Sequence, residues 1–268
     1  MALKICSLAS GSSGNAVYVE YGSVRLLVDA GVPARRIAAE LCGIGVAPAS
    51  LSGVLVTHEH SDHISGVGVI SRRFNLPVYA AGGTWQAMAG KLGAIAPRNA
   101  RAFEPGQDFY IGDMNIMPFR TPHDAVDPVG FSFSAGRYKL SIATDIGYAS
   151  KSWMREVEFS DILLIESNHD LGMLEASRYP AALKQRIRGR RGHLSNDEAA
   201  AAIVKLCERG VRGFILGHLS GENNDPSLAY ESAAAALRGA GAVPGADIGL
   251  AVASRSCRGA MFSAESGF

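Results

Sequence analysis

Apolar and polar positions along the first part of the chain change pattern in short blocks. Leu3 to Leu8 is apolar with one lysine, Ala16 to Glu20 alternates, and Val24 to Val28 is a valine and leucine run that ends at Asp29. Each predicts a strand. Ser10-Gly11-Ser12-Ser13-Gly14-Asn15, all small turn formers, separates the first two. From Pro33 the spacing turns helical, with Ile37, Ala38, Leu41 and Ile44 on one face and Gly43 and Gly45 closing it. Val54 to Val56 predicts a short buried strand that runs directly into Thr57-His58-Glu59-His60-Ser61-Asp62-His63. A helix over about 63 to 74, a strand over Val78 to Ala80 and a helix over about 83 to 91 follow.

Residues 100 to 145 are strand-like again, with a hairpin over Gly130 to Ala143 turning at Ala135-Gly136. Beyond 150, strands over Ile162 to Ile165, Phe214 to Leu216 and Ile248 to Ala253 alternate with helices over about 178 to 188, 196 to 208 and 226 to 238. Ser195-Asn196-Asp197-Glu198 has the S-x-x-E form of a capping box, which sets the start of the 196 to 208 helix. Two strand-rich halves, each trailed by helices, predict two sheets packed face to face with helices outside.

Composition adds limits. The 268 residues are 47% apolar and 19% charged, and 26 basic against 25 acidic side chains leave a formal charge of +1. The length suits a single domain over 1–268, with no linker, low-complexity tract or internal repeat of 20 to 50 residues to divide it. The balance excludes a disordered chain and a generally basic nucleic-acid coat, though not a local basic patch. No apolar run approaches the ~20 residues of a membrane span and no signal peptide is read, so no membrane partner is expected. Four scattered cysteines, at 6, 42, 207 and 257, predict small buried apolar residues in a reduced, cytoplasmic protein.

Seven histidines remain to be explained, and His58-x-His60-x-Asp62-His63 holds three of them. On an extended segment His58 and His60 point the same way, because side chains repeat every second residue. Asp62 and His63 fall in the next turn and face another point. This spacing suits two ions a few Å apart, as in two-metal hydrolytic sites with separations of ~3.5–4 Å. The alternative, a surface loop with chance histidines, fits poorly with three imidazoles and a carboxylate in six positions.

His58 to His63 after a buried strand, with Asp29 closing an earlier strand in Leu27-Val28-Asp29-Ala30-Gly31, resembles the metallo-β-lactamase superfamily. Thr121-Pro122-His123-Asp124, Ala143-Thr144-Asp145 and Leu216-Gly217-His218-Leu219 stand in the order of its later motifs. The resemblance implies an α/β (α+β) fold, a four-layer αββα sandwich of two mixed β-sheets flanked by helices. It implies that His58, His60 and His123 hold one metal, that Asp62, His63 and His218 hold the other, and that Asp145 bridges them. Asp29 would lie behind the ligands and orient the histidine loop. Nitrogen and oxygen donors without thiolate suit two divalent ions per chain, Zn²⁺ best, with Mn²⁺ or Fe as other occupants.

Two further strings narrow the chemistry. Asp161 to Glu166 is a buried strand with Glu166 at its end, and Gly192-His193-Leu194-Ser195 presents His193 at the mouth of a capped helix. A carboxylate that orients an imidazole makes it a good general acid. The pair resembles that of the nuclease branch of the superfamily, ribonuclease Z and the β-CASP nucleases. With Leu8 to Asn15, His123-Asp124-Ala125, Glu166 to Asp170, Gly192 to Asn196, His218-Leu219-Ser220 and Asn223-Asn224, the pattern resembles the YycJ/WalJ-type proteins over residues 3 to 255. Only 26 residues separate Glu166 from His193, too few for a β-CASP insertion, and 20 separate Asp145 from Glu166.

That resemblance implies a cytoplasmic metal-dependent phosphodiesterase, a nuclease digesting double-stranded DNA from the 5′ end. It implies a hydroxide bridging two metals as nucleophile, Asp62 helping to orient it, and His193, positioned by Glu166, as general acid. Three other readings remain: a phosphodiesterase for small or cyclic nucleotides, a thioesterase or lactamase-type hydrolase, and a metal-binding module without turnover. Lys184, Arg186, Arg188, Arg190 and Arg191 form a basic run just ahead of His193, a solvated face or a clamp for substrate phosphates. The loop from Ser10 to Asn15 lacks the Lys-Ser/Thr of a P-loop. It is a tight turn or a lining of the cleft that brings Ser12 and Asn15 to the substrate. His169 reads equally as a substrate contact or a local hydrogen-bond partner. Neither a protein partner nor an oligomeric state is legible.

Overall fold

The computed structural model describes residues 1–266. Strands β1 (Lys4–Ala9), β2 (Ala16–Tyr21) and β3 (Val24–Val28) form an antiparallel meander. Helix α1 (Ala34–Gly43) leads to β4 (Gly53–Leu55), α2 (Ser61–Ile64), α3 (Val67–Phe74), β5 (Val78–Ala81), α4 (Gly82–Met88) and β6 (Ala100–Phe103). From β3 to β6 neighbouring strands are parallel. A second meander follows in β7 (Phe109–Ile111), β8 (Met114–Arg120), β9 (Val129–Ala135) and β10 (Tyr138–Ala143). Then come α5 (Lys151–Val157), β11 (Ile162–Glu166), α6 (Leu171–Ala176), α7 (Ala181–Ile187), α8 (Asn196–Cys207), β12 (Gly213–Gly217), α9 (Pro226–Gly239) and β13 (Gly249–Val252). From β10 to β13 the strands are again parallel. Strand β14 (Met261–Ser263) returns to pair with β1.

The sheets run β14-β1-β2-β3-β4-β5-β6 and β13-β12-β11-β10-β9-β8-β7. Counted from β14 and from β7, each has three antiparallel pairings followed by three parallel ones. This repeat of topology has no counterpart as a sequence repeat, because strand sense constrains only apolar alternation and not residue identity.

Alternating side chains divide the core into slabs. Ile5, Leu26, Val28 and Leu55 of the first sheet meet Phe131, Phe133, Leu140, Ile142 and Leu164 of the second. On the first sheet's other face Cys6, Leu27 and Val54 pack with Ile37, Leu41, Val67 and Ile70 from α1 and α3. On the second's, Leu163, Ile165, Phe214 and Leu216 pack with Trp153, Ile203, Leu206 and Leu237 from α5, α8 and α9. The result is helix, sheet, sheet, helix, as expected. Strands covered on both faces also explain why Ile162 to Ile165 reads as a continuous apolar run.

Several expectations shift. The helix expected over 63 to 74 is two helices, because the Gly66 amide donates to the Ala30 carbonyl at 2.7 Å instead of within a helix, and a Cβ there would lie 2.5 Å from the Val32 carbonyl oxygen. The hairpin turns at Gly136-Arg137, one residue later than expected, with Gly136 at φ +58° and Ala135 paired with Tyr138. Helix α7 is shorter than expected, while α5, α6 and β14 were not anticipated. Of the cysteines only Cys6 is buried; Cys42 and Cys257 are exposed and Cys207 half-buried, since α1 turns Ile37 and Leu41 inward and leaves Cys42 outside. A domain running to 268 extends two residues past those described. No helix among the described residues is long and apolar enough to cross a membrane.

Candidate metal centre

Parallel strands deliver the polar residues from their C-terminal ends, the usual place for sites on such sheets. Asp29 follows β3, Thr57 and His58 follow β4, Asp145 follows β10, Glu166 ends β11 and His218 follows β12. Asp29, Asp145 and His218 have φ of 59°, 58° and 55°, a left-handed conformation that costs a non-glycine residue about 1–3 kcal/mol. In each case the chain turns on leaving a buried strand, and the side chain lies among the histidines and carboxylates at the strand ends. Asp29 and Asp145 hold corresponding places in the two halves, each after the first strand of a parallel run.

Potential ligand atoms of His58, His60 and His123 lie within 4.8 Å of one another, as do those of Asp62, His63 and His218, and of His58, His63 and Asp145. Asp145 stands between the first two groups. Its Oδ1 is 3.5 Å from Nε2 of His123, 3.4 Å from Nδ1 of His218 and 3.9 Å from Nε2 of His58. Its Oδ2 is 3.3 Å from Nε2 of His63. Asp62 Oδ2 lies 3.5 Å from Nε2 of His63 and 3.6 Å from Nε2 of His218.

Hydrogen bonds behind the rings decide which nitrogens face inward. His63 Nδ1 donates to Asp29 Oδ2 at 2.7 Å, and Asp29 also accepts from the Thr57 amide and hydroxyl, both at 2.8 Å. His58 Nδ1 donates to Thr57 Oγ1 at 3.0 Å, and His123 Nδ1 donates to the Gly192 carbonyl at 3.1 Å. His218 Nδ1 donates to Glu166 Oε1 at 2.8 Å. Nε2 of these four rings therefore points to the centre. Nε2 of His58, Nε2 of His218 and Oδ2 of Asp145 are buried without a hydrogen-bond partner. Unpaired buried donors and acceptors are costly, and three converging on one space fit a cation. The donor set, imidazole and carboxylate without thiolate, fits a divalent metal such as Zn²⁺.

The electrostatics of the chain without metal agree. Burial and the surrounding imidazoles hold His58 well below the usual histidine range. Burial would depress His63 as well, but Asp145 and Asp29 raise it well above that range. Against the same burial, Asp145, Asp62 and Glu166 push His218 up to about 10. Burial works to raise Asp145, yet His218, His63 and His123 keep it below the usual carboxylate range.

A fourth group, Asp145, Glu166, His193 and His218, also lies within 4.8 Å. It is a hydrogen-bond relay rather than an ion cage, because Nδ1 of both His193 and His218 donates to the same Glu166 oxygen at 2.8 Å. The other Glu166 oxygen accepts from the amides of Ile146 and Leu194 at 2.9 and 3.1 Å. Glu166 is fully buried, and His193 and His218 outweigh that burial to keep its carboxyl well below the usual range. His193 is 21% exposed and lines a cleft of about 180 Å³, with Nε2 as its free nitrogen.

The residues expected at the substrate separate. Ser12 and Arg186 line this cleft. Asn15 does not: it is buried, bonded to Gly11 through both side-chain polar atoms, and its Nδ2 stands 3.1 Å from Nε2 of His63. It braces the histidine loop. His169 is also buried, pairing through its backbone with Ser195. The basic run scatters because α7 ends at Ile187 and the chain then turns. Lys184 and Arg188 bond to Glu175, Arg190 lies over the Tyr148 ring at 4.2 Å, and Arg191 donates to the His123 carbonyl at 3.1 Å. Arg186 alone of the five lines the cleft, paired with Asp124 at 2.5 Å.

Sequence reasoning missed four supports. Thr57 ties Asp29 to His58. Asp124 brings Oδ1 to 3.4 Å from Nε2 of His123. Ser10 Oγ accepts the His218 amide at 2.8 Å, and Asn168 donates to the His218 carbonyl at 2.9 Å. Thr57 and Asp124 sit inside recognisable strings, but Ser10 and His218 are 208 residues apart and carry no joint signal.

A beta-lactamase superfamily domain matches residues 24–218, from the start of β3 to His218. The chain is 42% identical over 229 residues to exodeoxyribonuclease WalJ of Streptococcus pneumoniae serotype 2, covering 85% of each chain. It is 38% identical over 237 residues to exodeoxyribonuclease YycJ of Bacillus anthracis, covering 88% of this chain and 90% of that one. The solved metallo-beta-lactamase fold protein YhfI of Bacillus subtilis is similar in fold, with a TM-score of 0.72 over 98% of this chain and all of that one at 18% identity.

Proposed function

The chain belongs to the metallo-β-lactamase superfamily, a family of hydrolytic metalloenzymes, and from that premise we propose that it is a nuclease digesting double-stranded DNA from the 5′ end. The observation that carries the reading is the buried Glu166 holding His193 at the edge of the cleft, beside two groups of ligand-bearing side chains. The names of the relatives at 42% and 38% identity support DNA as the substrate. A reducing, cytoplasmic location goes with this reading and suits the two exposed free thiols.

His58, His60 and His123 would hold one divalent cation, and Asp62, His63 and His218 a second, with Asp145 shared. Bound there, two cations supply water ionised near neutral pH and neutralise charge on the phosphate oxygens. Asp62 helps to orient the attacking water. As its oxygen bonds to phosphorus, the bond to the 3′ oxygen breaks, and Nε2 of His193 gives that oxygen its proton. The remaining strand carries a 5′-phosphate. Asp29, through Thr57 and His63, keeps the histidine loop in place.

Phosphodiesterase action on small or cyclic nucleotides is separated by comparing a chromogenic phosphodiester with duplex DNA at several salt concentrations. The expected result is preference for DNA, weakening as salt rises because phosphate contacts release counterions. Equal use of both, without salt dependence, contradicts a DNA substrate.

Metal binding should also be linked to protons. His218 is pushed up to about 10 in the metal-free chain, so below that pH it carries a proton that must leave before Nε2 can ligate. Apparent affinity therefore rises with pH, by about tenfold per pH unit for one displaced proton. Titration calorimetry with Zn²⁺ at neutral pH, in buffers of different ionisation enthalpy, should show net proton release. No release contradicts a His218 that is protonated before the metal binds.

A further inference from the structure

Helix α7 presents an apolar face beside the site without a core to cover it. None of its side chains is buried, and its two large apolar residues, Leu183 and Ile187, stand one turn apart on the same face. Both line the cleft beside His193, as do Tyr179, just before the helix, and Arg186 within it. Ser12 from the loop after β1 lines it too. At about 180 Å³ the space is smaller than the ~300–1,000 Å³ of clefts that hold drug-sized ligands, so it admits one ring system rather than a stack of bases.

Helix and proton donor are joined through the backbone. The His193 amide donates to the Ile187 carbonyl at 2.9 Å, and a Cβ on Gly192 would lie 2.2 Å from that same oxygen. A ligand seated on Leu183 and Ile187 therefore bears on the segment that carries the proton donor.

We propose that this cleft is a pocket for one nucleoside, the terminal one of the strand being digested, held on the leaving-group side of the scissile phosphate. The proposal rests on the nuclease reading, since His193 protonates the 3′ oxygen of the departing residue, which must then lie on the His193 side. Tyr179, Leu183 and Ile187 supply apolar and aromatic surface for the base. Arg186, whose guanidinium now pairs with Asp124, supplies a positive charge for the phosphate. A pocket for one base favours removal of nucleotides singly from an end.

The test is direct binding of thymidine 5′-monophosphate and of inorganic phosphate to the Zn²⁺-loaded chain, read by calorimetry. Thymidine 5′-monophosphate should bind roughly 5- to 100-fold more tightly, the range for one base on aromatic surface. Tyr179→Ala, which removes the aromatic surface, and the double change Leu183→Ala with Ile187→Ala, which strips the apolar one, should each bring that ratio towards one. A ratio near one in the unaltered chain, or a ratio that survives both changes, overturns the proposal. DNA digestion with a ratio of one removes the pocket and keeps the nuclease. A high ratio that both changes abolish, without DNA hydrolysis, keeps the nucleoside pocket and removes the nuclease.

Discussion

His193→Ala is expected to lose roughly 10²- to 10⁴-fold in turnover on DNA while keeping its full complement of bound metal. The ring is held by Glu166 through Nδ1 at 2.8 Å, is partly open to the cleft, and belongs to neither group of ligand candidates around the histidine string. Its removal deletes a proton donor and leaves the inward nitrogens of His58, His63, His123 and His218 in place. Metal analysis alongside single-turnover kinetics separates the two roles. A variant that loses metal in proportion to activity would make His193 a ligand, and a fully active one would remove it from the reaction.

Asp145→Ala should be at least as damaging, and by another route. The carboxylate is buried, contributes oxygens to both halves of the centre, and leaves Oδ2 unpaired among imidazoles. Its loss should drop bound metal below two ions per chain. It should also remove several kcal/mol of transition-state stabilisation, roughly three orders of magnitude in turnover. The metal-free protein should suffer too, because His63 and His218 are raised largely by this carboxylate and would become buried cations short of a partner. Metal content after dialysis and denaturant unfolding of the metal-free chain check both parts. Two retained ions with near-normal turnover would contradict the shared position of Asp145.

The strands that frame the site were legible because burial on both faces makes runs such as Ile162 to Ile165 continuously apolar. The strand Val24 to Val28 was legible through its abrupt stop at Asp29. Helix α5 was not, since Trp153, Met154 and Val157 span little more than one turn, too few to establish a period. Strand β14 has only three residues, and its place is set by the edge of β1 rather than by its own pattern. At the site, the contiguous string from His58 to His63 announced itself, and the distant His123, Asp145 and His218 followed from their order. Illegible was what each ring leans on. Glu166 serves His218 as well as His193 across 52 residues, and only the register of β11 beside β12, pairing Glu166 with Gly217, brings them together. The basic run, read as a solvated face or a clamp for phosphates, divides for a local reason. Its charges lie close in sequence, but the chain turns after Ile187: Lys184 and Arg188 bond to Glu175, Arg190 stacks on Tyr148, Arg191 holds the His123 carbonyl, and Arg186 alone lines the cleft.

A duplex carrying one label at its 5′ end, and a second labelled at its 3′ end, incubated with the metal-loaded chain and with the same chain after chelation, tests the assignment most directly. A metal-dependent 5′ exonuclease releases the 5′ label first, as a mononucleotide, leaves the 3′ label on a shortening strand, and stops when the metal is removed. Two bound ions with no cleavage of either duplex, or cleavage that persists in the chelated protein, would contradict it.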